Sequence, residues 1–243
     1  MNPLLLPVLA YQGLRVRAAT EVLPPADGPT SGEAPAAGAG AGDAGGDEGG
    51  PAPFRLAVVG ESTAAGCGVA THAEGFAGCL ARELAGRTGR PVSWEVVGRH
   101  GATIRRVRHR LLPELRGTDL DLAVLLAGVN DVLARRSPTE WGEELAATID
   151  ELADRAARVV VPGIPPFRAF PSLPTTLGRY LAKRAGALDA TSRRVCAARP
   201  AAAWLDSTGL APVGPDFFSR DRFHPSAAGY RRWAGAVAAG LPD

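Results

Sequence analysis

The chain has 243 residues, and its 27 lysine and arginine residues nearly balance its 25 acidic residues, for a net charge of +2. That length suits one well-buried domain or two small ones. The charge balance gives no global sign of binding to nucleic acid or to an anionic membrane. Cys67, Cys79 and Cys196 have no metal-site spacing and are too few for a disulfide framework, so we expect buried free thiols.

The first 53 residues differ in composition from the rest of the chain. Residues 1–26 carry an apolar run that is too short to span a bilayer, and Arg15 and Arg17 follow the run instead of preceding it. We expect this segment to pack on the domain and the protein to be cytoplasmic; peripheral membrane association and export are the alternatives. Residues 27–53 are almost wholly Gly, Ala, Pro, Ser, Thr and acidic residues, which predicts a flexible linker.

Strand-like and helix-like segments alternate in residues 54–243, which we expect to form the main domain. Short apolar runs, typical of parallel strands covered on both faces, predict strands at 56–59, 92–97, 122–126, 159–161 and 203–205. Helices are predicted at 75–88, 103–116, 139–157, 177–198 and 226–241. This alternation predicts a three-layer α/β/α sandwich around a five-stranded parallel sheet. With strand order 2-1-3-4-5, the loops after the first and third strands would carry the ligand.

Four short blocks of polar residues and glycines fall at the ends of predicted strands or before the last helix. They are Gly60-Glu61-Ser62, Gly98-Arg99-His100-Gly101, Gly128-Val129-Asn130-Asp131 and Asp221-Arg222-Phe223-His224. Each block alone has a plain structural interpretation as a helix cap, a turn glycine, an Asx turn or a helix start. Their order along one α/β sheet is a much stronger joint signal.

These blocks resemble those of the SGNH (GDSL-like) hydrolase family, which is named for a Ser, a Gly, an Asn and a His. The resemblance covers residues 56–241 and implies a flavodoxin-like fold. It implies that Ser62 is the nucleophile, that Asp221 and His224 complete a catalytic triad, and that Ser62, Gly101 and Asn130 form an oxyanion hole. The chain departs from the family at residue 61, where glutamate replaces the usual aspartate. The extra methylene is expected to alter how the nucleophile turn is braced.

These residue types fit acyl transfer. A serine hydroxyl attacks when a base such as His224 takes its proton, and a carboxylate such as Asp221 can hold the imidazole in one tautomer. The tetrahedral oxyanion needs donors already aimed at it, here the N–H groups of Ser62 and Gly101 and the Asn130 amide. We expect one turn at the start of the last helix to present both Asp221 and His224.

The segment 163–174 follows the fourth predicted strand and contains four prolines and two phenylalanines. It predicts either a semi-rigid apolar wall for an acyl chain or aromatic alcohol, or a simple cover for the sheet edge. Phe167 and Phe170 are candidate substrate contacts. Arg168 is a candidate for binding a carboxylate or sugar hydroxyls, and His100 is a candidate contact from the loop beside Gly101.

We therefore predict a serine esterase that forms an acyl-enzyme on Ser62 and uses no metal or organic cofactor. Small acyl or lipid-like carboxylic esters are the leading substrates, with O-acetyl carbohydrate deacetylation and acyl transfer as alternatives. Two other classes are a catalytically inactive binding module and a nucleotide-binding protein, although the loop from Gly60 to Gly68 lacks the Gly-Lys-Ser/Thr ending of a phosphate-binding loop. The expected partner is a small-molecule ester, without nucleic acid or stable membrane insertion, and no particular oligomeric state is predicted.

Overall fold

A computed structural model of the chain describes residues 5–36, 51–207 and 214–241. Its strands are Ser31–Ala34 (β1), Phe54–Gly60 (β2), Val92–Gly98 (β3), Leu120–Leu126 (β4), Ala156–Pro162 (β5) and Ala202–Leu205 (β6). Its α-helices are Leu6–Ala19 (α1), Phe76–Thr88 (α2), Ile104–Arg106 (α3), Val129–Leu133 (α4), Pro138–Ala153 (α5), Thr175–Ala197 (α6) and Ala227–Gly240 (α7). A π turn at Val107–Leu111 continues α3, and 3-10 turns lie at Leu112–Glu114, Phe167–Ala169 and Pro215–Phe217.

The strands form one sheet in the order β1-β3-β2-β4-β5-β6. Strands β2 to β6 pair in parallel, and their order is the predicted 2-1-3-4-5. The α/β class is confirmed, but the predicted strand number is one too low because β1 adds an antiparallel edge strand next to β3. The short Ser-Gly-Glu-Ala sequence of β1 has no apolar run, and Ala34 is its only buried residue, so composition gives no strand signal there.

Strand β1 lies inside the segment for which composition predicts a flexible linker. That expectation does not hold for Ser31–Ala34, because pairing with β3 supplies main-chain hydrogen bonds to a segment that buries little apolar surface. Gly32 lies so close to the Trp94 ring that a Cβ there would stand 2.5 Å from Cζ2. Residues 37–50 of the predicted linker lie outside the described residues. Within the predicted N-terminal segment, Leu9 of α1 is buried in the core, whereas Leu14 is 70% exposed.

Helices cover both faces of the sheet and divide the core into two layers. Residues from α1, α3, α5 and α6 pack on one face, and residues from α2 and α7 pack on the other. Val58 and Val59 point to opposite faces, and both side chains are 0% exposed. Burial on both faces explains why the strands read as continuous apolar runs without alternation.

Two predicted helices run past their actual ends. The prediction over 139–157 overshoots α5, because Ala156 and Ala157 belong to β5, where Ala156 pairs with Leu120. Helix α5 begins at a capping box formed by Ser137 and Glu140. A single helix is predicted over 103–116, but only Ile104–Arg106 is α-helical. A π turn and a 3-10 turn follow it. Pro113 accounts for this, because it lacks an N–H group and its ring would clash with the preceding helical turn.

A tyrosine of α7 is hydrogen-bonded to the turn that follows Ser62. The buried Tyr230 hydroxyl donates to the Cys67 carbonyl at 2.7 Å, and the Cys67 N–H donates to the Ser62 carbonyl at 3.0 Å. We expect Tyr230→Phe to lower the free energy of unfolding by about 1–3 kcal/mol, because a buried carbonyl loses its partner. Urea denaturation measures this change. The half-buried Tyr180 gives the matched control, and Tyr180→Phe should change the value by less than about 0.5 kcal/mol; equal effects of the two variants would contradict the prediction.

Candidate active site

The carboxyl ends of β2, β3 and β4 meet at one edge of the sheet. Gly60 is in register with Gly98 of β3 and with Leu126 of β4. A Cβ at Gly60 would overlap the Leu126 carbonyl oxygen, so the close approach of these strands requires glycine there. The Glu61 N–H then donates to the same carbonyl at 2.9 Å. Ser62 therefore leaves the sheet at the switch point where neighbouring strands continue in opposite directions, which is the usual ligand site of such sheets.

Ser62, His224 and Asp221 form an unbroken hydrogen-bonded chain. His224 Nε2 lies 2.9 Å from Ser62 Oγ, and His224 Nδ1 lies 2.6 Å from Asp221 Oδ2. All three side chains are buried. A base within reach of a hydroxyl, with a carboxylate on its other ring nitrogen, is the arrangement that activates a serine nucleophile.

Asp221 is surrounded by hydrogen-bond donors. Its Oδ1 accepts from the Ser219 hydroxyl at 2.8 Å and from the N–H groups of Phe223 and His224 at 2.9 Å each. Burial opposes ionisation, but the hydrogen bonds from the His224 ring, these two N–H groups and the Ser219 hydroxyl outweigh it and lower the pKa of Asp221 to about 2. Asp221 is therefore a carboxylate throughout the neutral pH range.

Asp221 and His224 lie in a loop, and the expectation that the first turn of the last helix carries them is wrong. Helix α7 begins only at Ala227, after a cap by Ser226. Arg222 adopts a φ of 58°, which turns the chain tightly between the two residues. This turn brings the carboxylate under the N–H groups that follow it, as Asp side chains do in Asx turns.

The three expected oxyanion donors differ in their present partners. Within the described part of the chain, the Ser62 and Gly101 N–H groups have no hydrogen-bond partner. Gly101 has a φ of +71°, a conformation that strains residues with a side chain, although a Cβ there would meet no neighbour. Asn130 Nδ2 instead donates to Glu61 Oε2 at 2.7 Å and to the Ala102 carbonyl at 3.1 Å.

Glu61, the departure from the family pattern, reaches the short helix α4. Its carboxyl group accepts from the N–H groups of Val129 at 3.3 Å and Asn130 at 3.2 Å, besides the Asn130 amide. The side chain is buried, and burial raises the pKa of Glu61 to about 8; the Asn130 N–H opposes this shift, and the nearby Asp131 adds to it. The glutamate thus braces the start of α4.

Asp131 is a positioning residue whose role sequence reasoning missed. Its side chain is 0% exposed; Oδ2 accepts from the Ile104 N–H at 2.9 Å, and Oδ1 pairs with Arg136 Nε at 2.8 Å. Burial raises its pKa to about 6 against the opposing effects of Ile104 and Arg136. Asp131 ties the loop that carries Gly101 to the helix that carries Asn130. Its place in the third block is visible in the sequence, but its bond to the Ile104 N–H, 27 residues away, is not.

An apolar pocket opens beside the serine and the histidine. Besides Ser62 and His224, its lining includes Val129, Pro165, Pro166, Ala169, Phe170, Phe217, Phe218 and Phe223. The Phe170 ring lies 5.5 Å from that of Phe218 and 5.0 Å from that of Phe223, between ring centroids. Sequence reasoning did not place Phe217 and Phe218 at the site; the only signal for them is their position shortly before the Asp221–His224 block.

The predicted substrate contacts divide into one pocket residue and three others. Phe170 lines the pocket, whereas Phe167 is fully buried behind it, with the two rings stacked at 5.4 Å. Arg168 is exposed and does not line the pocket. His100 is also exposed and outside the lining, with its ring centroid 5.9 Å from that of His224. The apolar part of the 163–174 segment therefore faces the pocket, and its one cation does not.

The three cysteines are free and buried, which confirms the expectation for them. Burial raises the pKa of Cys67 to about 11, so this neighbour of Ser62 is a protonated thiol at neutral pH. Within residues 5–36, 51–207 and 214–241, no cluster of His, Cys, Asp and Glu side chains is suited to hold a metal ion. None of the helices described for this chain combines the length and the apolar character needed to cross a membrane.

Comparisons with known proteins agree with this geometry. Residues 58–232 match the model of the GDSL-like Lipase/Acylhydrolase family. A GDSL-like esterase of Mycobacterium tuberculosis is 31% identical over 207 residues, which cover 79% of this chain and 63% of the relative, so the chain spans less than two thirds of that relative's length.

Solved structures show the same architecture. TesA is 26% identical, with a TM-score of 0.60 over 77% of this chain and 97% of TesA. An extracellular lipase from Streptomyces rimosus is 19% identical, with a TM-score of 0.58 over 78% of this chain and 100% of the lipase, and shares the fold. Since the family match runs from β2 into α7 and includes all four sequence blocks, the chain belongs to the GDSL-like lipase/acylhydrolase family, as the resemblance predicts.

Proposed function

We propose that this protein is a serine hydrolase that cleaves carboxylic esters through an acyl-enzyme on Ser62. The observation that carries the proposal is the hydrogen-bonded chain from Asp221 through His224 to Ser62, with distances of 2.6 and 2.9 Å. These atoms are already within hydrogen-bond distance without a substrate, so only small movements are needed for proton transfer when substrate binds.

The reaction follows from the placement of these groups. Ser62 Oγ attacks the ester carbonyl while His224 Nε2 takes its proton, and the Asp221 carboxylate stabilises the imidazolium that forms. The tetrahedral oxyanion accepts hydrogen bonds from the free N–H groups of Ser62 and Gly101 and from the Asn130 amide, which releases one of its two present bonds, to Glu61 or to the Ala102 carbonyl, to do so. Collapse breaks the bond to the alkoxy oxygen, which takes the proton from His224 and leaves as the alcohol. Water then attacks the acyl-enzyme with the same proton transfers, releasing the acid and restoring Ser62.

The pocket supports small acyl or lipid-like esters as the substrate class. Its walls beyond the serine and the histidine are mainly aromatic, proline and aliphatic side chains, including Phe170 and Phe223. Such walls favour hydrocarbon over sugar hydroxyl groups, because a hydroxyl buried there would lose its hydrogen bonds to water. The pocket lining thus favours a small acyl or lipid-like ester over an O-acetyl carbohydrate as substrate.

Covalent labelling tests the proposed nucleophile. A fluorophosphonate should add once to the folded protein, and peptide mass spectrometry should locate the adduct on Ser62, since the attacking oxygen displaces fluoride and stays bonded to phosphorus. Ser62→Ala should not be labelled. Ser172 lies in the 163–174 segment outside the pocket lining, so Ser172→Ala should label at the wild-type rate. An adduct on a different residue, or equal labelling of Ser62→Ala, would contradict the acyl-enzyme proposal.

An ester panel tests the substrate class. We expect kcat/KM for p-nitrophenyl butyrate to exceed that for the acetate by up to about tenfold, since two further methylenes can enter the apolar pocket. Arg168→Ala should keep this preference, because the arginine lies outside the lining. Faster deacetylation of acetylated xylan than of either simple ester would instead favour the carbohydrate-esterase alternative.

A further inference from the structure

The carboxyl group of Glu61 is hydrogen-bonded to Asn130, and Glu61 also lines the pocket beside Ser62. Its Oε2 accepts two hydrogen bonds from Asn130, one from the backbone at 3.2 Å and one from the side-chain amide at 2.7 Å. Its Oε1 accepts only the long bond of 3.3 Å from Val129. Glu61 and the Ala102 carbonyl together determine the plane of the Asn130 amide.

We propose that Glu61 is a positioning residue that sets the Asn130 amide for oxyanion binding, and that it does so productively when its carboxyl group is protonated. The inference rests on the proposed function, because it assigns Asn130 to the oxyanion hole. Protonation at Oε1 costs only the weak bond from Val129, and Oε2 keeps its hold on Asn130. The neutral group therefore preserves the alignment.

An ionised Glu61 would oppose catalysis in two ways. A carboxylate binds the amide hydrogen about twice as strongly as a neutral acceptor, so the substrate oxygen competes less well for it. It also places a negative charge near the developing oxyanion, since two oxygens that share one amide nitrogen are at most about 6 Å apart. Repulsion between charges at that separation in a buried site slows the reaction by about tenfold or more.

Burial is the main cause that favours the neutral form of Glu61, and it outweighs the hydrogen bonds from Asn130 and Val129, which favour the carboxylate. Asp131 on α4 contributes negative charge, although Arg136 pairs with it. His224, which is hydrogen-bonded to Asp221, lines the same pocket as Glu61. No arginine or lysine among the described residues donates a hydrogen bond to Glu61. Together with burial, this environment agrees with the raised pKa of about 8 for the carboxyl group.

The length of the side chain gives a matched pair of variants. Glu61→Gln keeps the length and an acceptor oxygen but carries no charge, and so mimics the protonated acid. Glu61→Asp keeps the charge but withdraws the carboxyl group by one methylene. A purely structural role would make the aspartate as good as the glutamate and would leave the pH profile unchanged in the glutamine variant.

Steady-state kinetics with p-nitrophenyl butyrate between about pH 6 and 9.5, corrected for spontaneous hydrolysis, tests the inference. We expect wild-type kcat to fall at least about tenfold as the pH rises through about 8, with KM changing less. Glu61→Gln should keep kcat within about threefold at pH 7 and lose the alkaline fall. Glu61→Asp should lower kcat at least about tenfold at pH 7. Asp189→Asn removes another carboxyl group with a raised pKa, a half-buried one, and should keep the wild-type alkaline fall.

Protein stability gives a second measurement that does not depend on activity. The folded protein holds a proton on Glu61 that the unfolded chain releases above pH 4.5, so stability should decline as the pH rises toward 8. The pKa values of Asp131 and Asp189 are about 6, so both groups are largely ionised above pH 6.5. Between about pH 6.5 and 8, the proton held on Glu61 should therefore make the equilibrium constant for folding fall by up to about tenfold per pH unit as the pH rises. Glu61→Gln should remove that slope.

An alkaline fall that persists in Glu61→Gln, or wild-type kcat in Glu61→Asp, would overturn the inference, as would a flat wild-type stability curve over that range. These outcomes are distinct from failure of the proposed function, which Ser62→Ala reports at any pH.

Discussion

Ser62→Ala is expected to lower kcat for p-nitrophenyl butyrate by about 10⁶-fold, the scale of loss when the nucleophile of a serine hydrolase is removed. The methyl group cannot form the acyl-enzyme, and His224 has no serine hydroxyl from which to take a proton, although it keeps its hydrogen bond to Asp221. A small residual rate over water should survive, because the free N–H groups of residues 62 and 101 still bind the oxyanion.

The measurement is initial rate against enzyme concentration, with urea denaturation to show that the variant is folded. Ser172→Ala is the matched control and should keep kcat within about twofold, since its side chain lies outside the pocket lining. A loss smaller than about a hundredfold in Ser62→Ala would mean that another group attacks the ester.

Asp221→Asn is expected to lower kcat by about 10⁴-fold. The wild-type carboxylate accepts the hydrogen of His224 Nδ1, leaving Nε2 free to take the serine proton. An asparagine that kept its N–H bonds from residues 223 and 224 on Oδ1 would present an amide donor to Nδ1. The imidazole would then carry its hydrogen on Nε2, which is the wrong tautomer for a base.

The loss should be largely in kcat, because Asp221 contacts the histidine and not the substrate pocket. Asp189→Asn makes the same carboxylate-to-amide change on α6, and we expect wild-type kcat for it. Comparable losses in the two variants would indicate a general effect of amide substitution and would refute the tautomer argument.

The central sheet was accessible from the sequence because its strands are buried on both faces. Apolar runs such as Val58-Val59 carry that signal, and each parallel crossover requires the helix that the pattern shows. Strand β1 lacked the signal, since its order comes from main-chain pairing with β3 and not from its own apolar side chains. The irregular end of α3 depends on Pro113 in a way that helical periodicity alone does not report.

Many residues of the candidate site could be predicted from the sequence, but most contacts between them could not. The blocks around Ser62, Gly101 and Asn130 were visible because each belongs to a short stretch of sequence at a strand end. The contacts between blocks were not visible. Glu61 bonding to Asn130, and Asp131 bonding to Ile104, depend on the relative heights of three loops above the sheet, which follow from tertiary packing.

Strand β1 has a consequence for how this protein can be shortened. It covers the outer side of β3 over Ser31–Ala34, where β3 would otherwise present unpaired N–H and carbonyl groups to other molecules. A protein trimmed to begin at Pro51 would keep Ser62, Asp221 and His224 but would have an open sheet edge next to Trp94. Its catalytic residues would be intact, while its solubility would depend on a cover that the trimming removed.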